Sequence, residues 1–243
     1  MKRLVVLTAC LAALGPAQAQ DARDLPANIR IIAEYIEAPH TLVTQVMAGE
    51  HADSGPKLHA RMRELVKENK ARILETSFVT ARSGYRARAE SVMEHIYPTE
   101  YQPPGRPGTF IGSGPSRSDD AADEAKPPRD HRWPTAFETR NVGVTLDIEP
   151  VLQTNRNLVD LRFTQEMTRL LRYEMWSEYR DQWGDAPIRF PIYEALESES
   201  IVTLLDGKFG FVGLLTPSKK SGSPDTSRKI LLFVRADIIP IGP

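Results

Sequence analysis

Cysteine is almost absent from this chain. Cys10 is the only cysteine in 243 residues, and it lies within the apolar run Leu4–Leu14, which follows two cationic residues. The run precedes Ala17-Gln18-Ala19, and this order of a charged region, an apolar region and a small-residue site is typical of a secretory signal peptide. We therefore predict a signal peptide over residues 1–19 and a short leader over residues 20–28. Cleavage at that site leaves no cysteine, which excludes disulfides, thiol catalysis and cysteine metal sites in the mature chain.

Two alternatives to a cleaved signal peptide stay open. A membrane anchor is disfavoured because a spanning helix needs about 20 apolar residues, and this run is shorter. Lipidation of Cys10 is the other alternative, because Leu7-Thr8-Ala9-Cys10 resembles a bacterial lipobox. Against lipidation, few apolar residues precede Cys10 and the apolar run continues beyond it. No later segment of the sequence is long and apolar enough to predict a transmembrane helix.

A surplus of either charge is also absent. Lysine and arginine together number 31, and aspartate and glutamate together number 32. Nucleic-acid-binding domains usually carry a clear basic surplus. We therefore predict no nucleic-acid partner.

Residue patterns that carry catalysis are lacking too. Glu34 and Glu37 are three positions apart on a predicted strand, so their side chains point to opposite faces and form no carboxylate pair. Ser113 has no apolar strand before it and no helical pattern after it, so it does not form a nucleophile elbow. The loop around Ser113 also lacks the lysine that ends a phosphate-binding loop. We predict no catalytic residue, no cofactor-binding residue and no enzyme activity.

Histidine is too scattered to predict a metal site. His51, Asp53 and His59 surround a predicted helix start, but their spacing matches no known ligand motif. The remaining histidines are solitary in the sequence: His40, His95 and His131. We therefore predict no metal ligands.

What the sequence does contain is alternating apolar and polar residues, which predict β-strands. Asp206-Gly207 separates two apolar runs and suits a two-residue type I′ turn, which predicts a hairpin over residues 198–215. Ser83-Gly84 predicts a second hairpin of the same kind. The predicted strands cover residues 29–37, 71–80, 85–92, 137–151, 158–164, 198–205, 208–215 and 229–239.

Two helices are predicted between the first two strands. Residues 41–47 form a short one. A longer helix over residues 56–70 begins after Ser54, because serine followed by an early proline is a helix start signal. Positions at helical spacing follow, and their apolar members predict a stripe that faces the core. They are Leu58, Met62, Leu65, Val66 and Asn69.

Two segments differ from this pattern. Residues 103–134 are rich in proline, glycine and aspartate, so we predict a disordered insertion at the tip of a hairpin. Residues 168–183 carry an aromatic residue every three to four positions. This spacing favours a helix or bent strand that packs aromatic side chains on the sheet. The alternative is an interfacial helix on a lipid surface, because tryptophan and tyrosine favour that depth.

Four segments, in this order along the chain, resemble the homology domain of secretins, the ring proteins of type II and type III secretion systems and of type IV pili. The third of them, Arg140–Pro150, is the strongest, because it matches the family pattern dvGv.L.v.P. The last covers two closing strands of the pattern v.dGqt.vlGGl and LlifitP.ii. The segments are Ile31–Glu37, Lys70–Glu90, Arg140–Pro150 and Thr203–Ile239.

Departures from the family pattern accompany the resemblance. Secretins carry several small modules before this domain, whereas only about ten residues separate the predicted signal peptide from the first strand here. Where the family has its membrane-inserting lip, this chain has the polar segment Thr216–Arg228. That segment is too short for two spanning strands of about 9–11 residues each.

The resemblance implies an α+β fold over residues 29–240. We expect a twisted antiparallel β-sheet of the barrel-wall type with one or two packed helices. It also implies a non-enzymatic structural subunit of the bacterial envelope, located in the periplasm or outer membrane, that joins a ring through its sheet edges. The implied partners are further copies of the chain, other secretion-system envelope proteins and the outer membrane. A soluble periplasmic adaptor with the same fold is the alternative.

Overall fold

The fold is described by a computed structural model over residues 27–50, 52, 54–101, 134–178, 180–181, 184–185 and 187–241. The elements in chain order are β1 (Ala27–Pro39), α1 (His40–Met47), α2 (Gly55–Lys67), β2 (Arg72–Arg82), β3 (Ala87–Tyr101), β4 (Pro134–Leu152), β5 (Leu158–Ser177), β6 (Arg180–Asp181), β7 (Gly184–Asp185), β8 (Ile188–Leu205), β9 (Phe209–Leu215) and β10 (Arg228–Pro240). The predicted signal peptide, Cys10, His51, Asp53, Ser113, His131 and most of the predicted insertion lie outside the described residues.

Two antiparallel sheets form most of the structure. Sheet A has the strand order β2-β1-β10-β9 and sheet B has the order β3-β4-β5-β8, while β6 and β7 form a separate two-residue pair. Every neighbouring pair in both sheets is antiparallel. The predicted α+β class, with antiparallel sheet dominant and two helices packed on it, is confirmed.

Alternating apolar side chains bury one face of each sheet against the other. Ile29 and Ile31 of β1 and Leu232 of β10 are fully buried in the same cluster as Leu161 and Phe163 of β5. The opposite face of sheet A packs on α1 and α2 through a second cluster. The central strands β1 and β10 are therefore buried on both faces, and β10 accordingly carries the continuous apolar run Ile230–Val234.

Helix α2 begins and ends where its sequence dictates. Ser54 is extended and precedes a proline in the first turn, and the buried residues of the helix are Leu58, Met62 and Leu65. The helix ends at Lys67, three residues before the predicted end, because Asn69 adopts a left-handed conformation with a φ of 57°. Asparagine is among the few residues that tolerate this conformation, so Asn69 ends the helix rather than extending its apolar stripe.

The hairpin predicted around Asp206-Gly207 is wrong. The strands on either side of this turn, β8 and β9, belong to different sheets. Only the glycine has a positive φ, of 68°, whereas a type I′ turn needs positive φ at both central residues. Gly207 donates its N–H to the Ala236 carbonyl at 2.8 Å, which fastens the turn to β10. The turn is a corner at which the chain crosses from sheet B to sheet A.

The hairpin predicted around Ser83-Gly84 is wrong for the same reason. Strand β2 is an edge of sheet A and β3 is an edge of sheet B. Gly84 has a φ of 79° and donates its N–H to the Pro150 carbonyl at 2.8 Å. The turn itself was predicted correctly. Its two strands pair with other strands, β2 with β1 and β3 with β4, and the turn sequence does not predict these partners.

The segment predicted as a helix or bent strand is a strand as far as Ser177. Strand β5 continues to that residue and pairs with β8 along its whole length, to the pair Ser177↔Ile188. Two irregularities in register, near Leu170 and Ser177, bend it. The interfacial helix is therefore wrong for residues 168–177. Among the described residues, no helix is long and apolar enough to cross a membrane.

Strands β3 and β4 form a long antiparallel pair beside the predicted insertion. They pair from Ala87↔Ile148 to Tyr101↔Pro134, so Tyr101 and Pro134 are adjacent. Residues 102–133 lie outside the described residues, and the insertion over residues 103–134 stays a prediction.

Candidate assembly surface

Each sheet ends in two strands that have one hydrogen-bonded neighbour within the described chain. These strands are β2 and β9 in sheet A, and β3 and β8 in sheet B. Because each sheet has four strands in strict antiparallel order, its two edge strands run in opposite directions. A second copy added head to tail would place β8 of one copy beside β3 of the next in an antiparallel pair. Repetition of such a contact closes a ring or builds a filament.

The edges of sheet B are long and carry exposed apolar side chains. Strand β3 has 15 residues and β8 has 18, compared with a usual strand length of about 5–6 residues. Met93 and Ile96 on β3 are 65% and 62% exposed, and Ile201 on β8 is 76% exposed. Exposed long edges are templates for pairing with another chain, and soluble proteins normally shorten or shield them. Sheet B is thus the stronger assembly surface of the two.

Beyond Gly143, sheet B divides into two two-stranded ribbons. Strands β4 and β5 pair only as far as Gly143↔Thr168, although β3–β4 and β5–β8 each continue for several more pairs. We call residues 92–101 with 134–142 the first ribbon, and residues 169–177 with 188–195 the second ribbon. Gly143 at the division has a φ of 142°, a conformation that side chains with a Cβ rarely adopt.

Aromatic side chains join the two ribbons where backbone pairing has stopped. His95 of the first ribbon places Nε2 2.8 Å from the Tyr173 hydroxyl and Nδ1 2.7 Å from the Tyr193 hydroxyl. Tyr97 packs on Tyr193 with ring centroids 5.8 Å apart. We call these four residues the ribbon cluster. His95 is solitary in the sequence, and its partners in the fold lie 78 and 98 residues away.

The cluster is partly shielded from water. Burial, together with the nearby hydroxyls of Tyr97 and Tyr173, raises the pKa of the Tyr193 hydroxyl. Burial and a hydrogen bond to Glu138, at 3.1 Å, raise the pKa of Tyr97. Tyr97 and Tyr193 therefore stay protonated near neutral pH and are neutral neighbours of His95.

Farther along the ribbons, three aromatic residues lie at their tips. Tyr101 of the first ribbon contacts Phe190 of the second edge to face, with centroids 6.4 Å apart. Trp176 also packs on Phe190, at 6.1 Å, and is itself 76% exposed. A cavity of about 520 Å³ beside them is lined by Glu174, Trp176, Phe190 and Ile192. Of the aromatic residues in the segment 168–183 that suggested a lipid contact from sequence, Trp176 lies at these tips, Tyr173 lies in the ribbon cluster, and Tyr179 and Trp183 lie outside the described residues.

The connection between β9 and β10 is a short anchored loop. Residues 216–227 join β9 to β10, and a Ser218↔Pro224 bridge closes the loop on itself. The Ser218 N–H donates to the buried carboxylate of Glu194 on β8, and Arg172 of β5 donates to the Lys220 carbonyl at 2.8 Å. The loop thus ties sheet A to the second ribbon of sheet B.

Buried carboxylates hold the elements around this surface in place. Glu34 accepts a hydrogen bond from His59 of α2 at 2.9 Å, and the His59 ring stacks on Phe209 at 3.7 Å. Glu37 binds Arg72 of β2 and accepts from Arg228 of β10 at 3.0 Å. The two glutamates serve separate contacts, as their predicted opposite faces required.

Two of the described histidines, His59 and His40, contact protein groups. His59 lies in the contact with Glu34, and His40 directs Nδ1 at the Thr226 carbonyl, 3.0 Å away. Within the described ranges, no group of three or more histidine, cysteine or acidic residues could hold a metal ion.

Acid is expected to weaken the fold through Glu34 and Glu37. The hydrogen bond with His59 lowers the pKa of Glu34 against the opposing effect of burial. Burial acts to raise the pKa of Glu37, but Arg228 and Arg72 outweigh it, so this pKa also lies below the ordinary value of 4.5. Because the unfolded carboxylates take up protons first, the stabilisation is present above about pH 4.5 and is lost as pH falls through the folded pKa values.

The substitution Glu37→Gln tests this dependence. We expect it to lower the free energy of unfolding at pH 7 by about 1–2 kcal/mol, because both arginine partners are partly exposed and screened. It should also flatten the loss of stability between pH 5 and pH 3, measured by urea denaturation. The control is Glu149→Gln on the exposed face of β4, which should change stability by less than about 0.5 kcal/mol. An unchanged acid profile in Glu37→Gln would contradict the assignment.

Comparison with solved structures finds secretins. The chain is similar to the secretin GspD of ETEC, solved with the pilotin AspS, at 12% identity and a TM-score of 0.44, over 89% of this chain and 50% of that chain. For the type II secretin GspD of enteropathogenic Escherichia coli the identity is 10% and the TM-score 0.43, over 89% and 70% of the two chains. For the secretin domain of InvG from the Salmonella SPI-1 injectisome the values are 8% and 0.43, over 90% and 64%.

These likenesses are weak in sequence and partial in length. The chain spans half the length of the first of these secretins. Because every TM-score given above is below 0.5, the likenesses carry no conclusion about what this chain binds or does. No protein-family model matches the sequence, and no curated protein matches it either.

Proposed function

We propose that this chain is a non-enzymatic, secretin-like structural subunit of the bacterial envelope. In this proposal it is exported, loses residues 1–19 and acts in the periplasm or at the outer membrane. Copies join edge to edge into a multimeric ring that serves protein secretion or pilus-type assembly. Residues 29–240 are the assembling domain, and the segment near residues 103–134 is an insertion at its tip.

The free edges of sheet B carry this proposal. Pairing β8 of one copy with β3 of the next would satisfy two long rows of backbone groups and cover Met93, Ile96 and Ile201. The family-like segments support it as well. The glycine of the strongest segment is Gly143, which lies where sheet B divides. The exposed Trp176, packed on Phe190, supports outer-membrane contact at the ribbon tips, because aromatic residues favour membrane interfaces.

Cysteine cross-linking tests the direction of the contact. In a Cys10→Ser background, the double variant Ser91→Cys/Ser198→Cys places one thiol on β3 and one on β8. If copies join head to tail, oxidation should give a ladder of oligomers on a denaturing gel. Each single variant should give none, because β3 does not meet β3 and β8 does not meet β8.

Two results would contradict the proposal. A dimer from the single variant Ser91→Cys would indicate symmetric β3–β3 pairing in place of the head-to-tail contact. A strictly monomeric species in native mass spectrometry, at high concentration and both with and without detergent, would exclude the ring itself. Ser200→Cys in place of Ser198→Cys provides a second register along β8.

A soluble periplasmic adaptor is the second candidate, and the loop at residues 216–227 favours it. This loop is short, closes on itself and is anchored to Glu194 and Arg172, so it offers no lip for membrane insertion. Cell fractionation separates the two functions. The ring subunit is expected with outer membranes, whereas the adaptor is expected in the soluble periplasm as a monomer.

A further inference from the structure

The ribbon cluster joins strands that the sheet itself keeps apart. Strand β3 is one edge of sheet B and β8 is the other. Across four strands spaced about 4.8 Å apart, the two edges of a flat sheet would be separated by about 14 Å. Yet His95 of β3 lies within 2.7 Å of the Tyr193 hydroxyl of β8. The division at Gly143 allows this contact, because it frees the first ribbon to turn toward the second.

The contacts between the ribbons are made by side chains. His95 uses both ring nitrogens, one toward Tyr173 and one toward Tyr193. Neutral imidazole has one donor and one acceptor nitrogen, and each tyrosine hydroxyl can fill either role. Two hydrogen bonds and a few aromatic contacts can exchange partners without unfolding the strands that carry them.

Residues of the ribbon cluster from two neighbouring copies would also meet at the boundary between subunits. In head-to-tail pairing, β3 of one copy lies beside β8 of the next. The strand register places His95 and Tyr193 at nearly the same height along sheet B. His95 pairs with Arg140, three residues from Gly143, and Tyr193 pairs with Leu170, two residues from Thr168, the partner of Gly143. Side-by-side copies therefore bring His95 of one chain near Tyr193 of its neighbour. An element that closes on its own chain when free and on a neighbour when assembled follows the logic of domain swapping.

We propose that the ribbon cluster is an exchangeable clasp whose partner is a second copy of this chain. In the free subunit, His95 closes on Tyr173 and Tyr193 of its own second ribbon. In the assembly, His95 and Tyr97 of one copy close on Tyr193 of the adjacent copy. This inference rests on the proposed edge-to-edge assembly and adds the residues that change partner when it forms.

The test places the two cysteines in different chains. His95→Cys and Tyr193→Cys are prepared separately in the Cys10→Ser background, mixed under assembling conditions and treated with a short bismaleimide cross-linker. We expect a cross-linked dimer from the mixture and none from either variant alone, because neither chain contains both thiols. A single chain with both substitutions, at high dilution, should instead cross-link internally.

A second pair of cysteine variants is the control for the case in which His95→Cys and Tyr193→Cys themselves disrupt the ribbon cluster. Tyr101→Cys and Phe190→Cys, mixed in the same way, probe the next contact between the ribbons and leave His95 intact. If Ser91→Cys/Ser198→Cys forms its ladder while neither mixed pair cross-links, the clasp stays within each chain, and the inference is overturned with the ring intact. If the ladder also fails, the ring proposal is overturned and the inference with it.

Discussion

Replacing Gly143 by alanine is expected to destabilise the protein by about 3 kcal/mol or more. A Cβ at this position would lie 2.1 Å from the Ser91 carbonyl oxygen and 2.8 Å from the Val92 Cα. Both contacts are with backbone, so no side chain can rotate away to relieve them. The φ of 142° adds strain of its own. Backbone strain and overpacking each contribute about 1–3 kcal/mol.

Two other glycines provide matched controls for this measurement. Gly207 has a φ of 68° but open space around its Cβ position, so Gly207→Ala should lose only about 1–2 kcal/mol from the left-handed backbone. Gly213 on β9 has open space and no positive φ, so Gly213→Ala should be neutral or slightly stabilising. The unfolding midpoint in urea, followed by far-ultraviolet circular dichroism, ranks the three. Equal losses for Gly143→Ala and Gly207→Ala would contradict the close contact with β3.

Local patterns in the sequence predicted the elements well. Alternation located most of the strands, and the helix start at Ser54 was correct because it depends on neighbouring residues alone. The end of α2 was placed too late, since the left-handed Asn69 fits the apolar spacing by position. Strand β5 was ambiguous with a helix, because Tyr173 and Trp176 are three residues apart, a spacing that also fits one face of a helix.

Pairing between strands was harder to predict than the strands themselves. Asp206-Gly207 and Ser83-Gly84 are good turn sequences, and nothing within them distinguishes a hairpin from a corner between two sheets. The distinction comes from contacts such as Gly207 with Ala236 and Gly84 with Pro150. The ribbon cluster is a similar case, since His95 finds its partners only when β3, β5 and β8 are in place.

Glu194→Ala is expected to cost about 2–3 kcal/mol and to release the loop at residues 216–227. Its side chain is only 2% exposed. It accepts from Arg169 Nε at 2.9 Å and also from the Ser218 N–H. Removal leaves a guanidinium and a backbone donor without their acceptor, which costs about 1–3 kcal/mol for each buried group. Arg169 is one-third exposed, so water offsets part of its loss.

Stability and loop release can be measured separately for this site. Urea denaturation gives the first, and hydrogen exchange of the amides from Ser218 to Ser223 gives the second. Glu194→Gln keeps one acceptor without the charge, so it should lose less stability than Glu194→Ala and retain part of the Ser218 protection. Glu197→Ala, an exposed position on the same strand, should change stability by less than about 0.5 kcal/mol. Full amide protection in Glu194→Ala would show that Arg172 alone anchors the loop, and the role given to Glu194 would then be wrong.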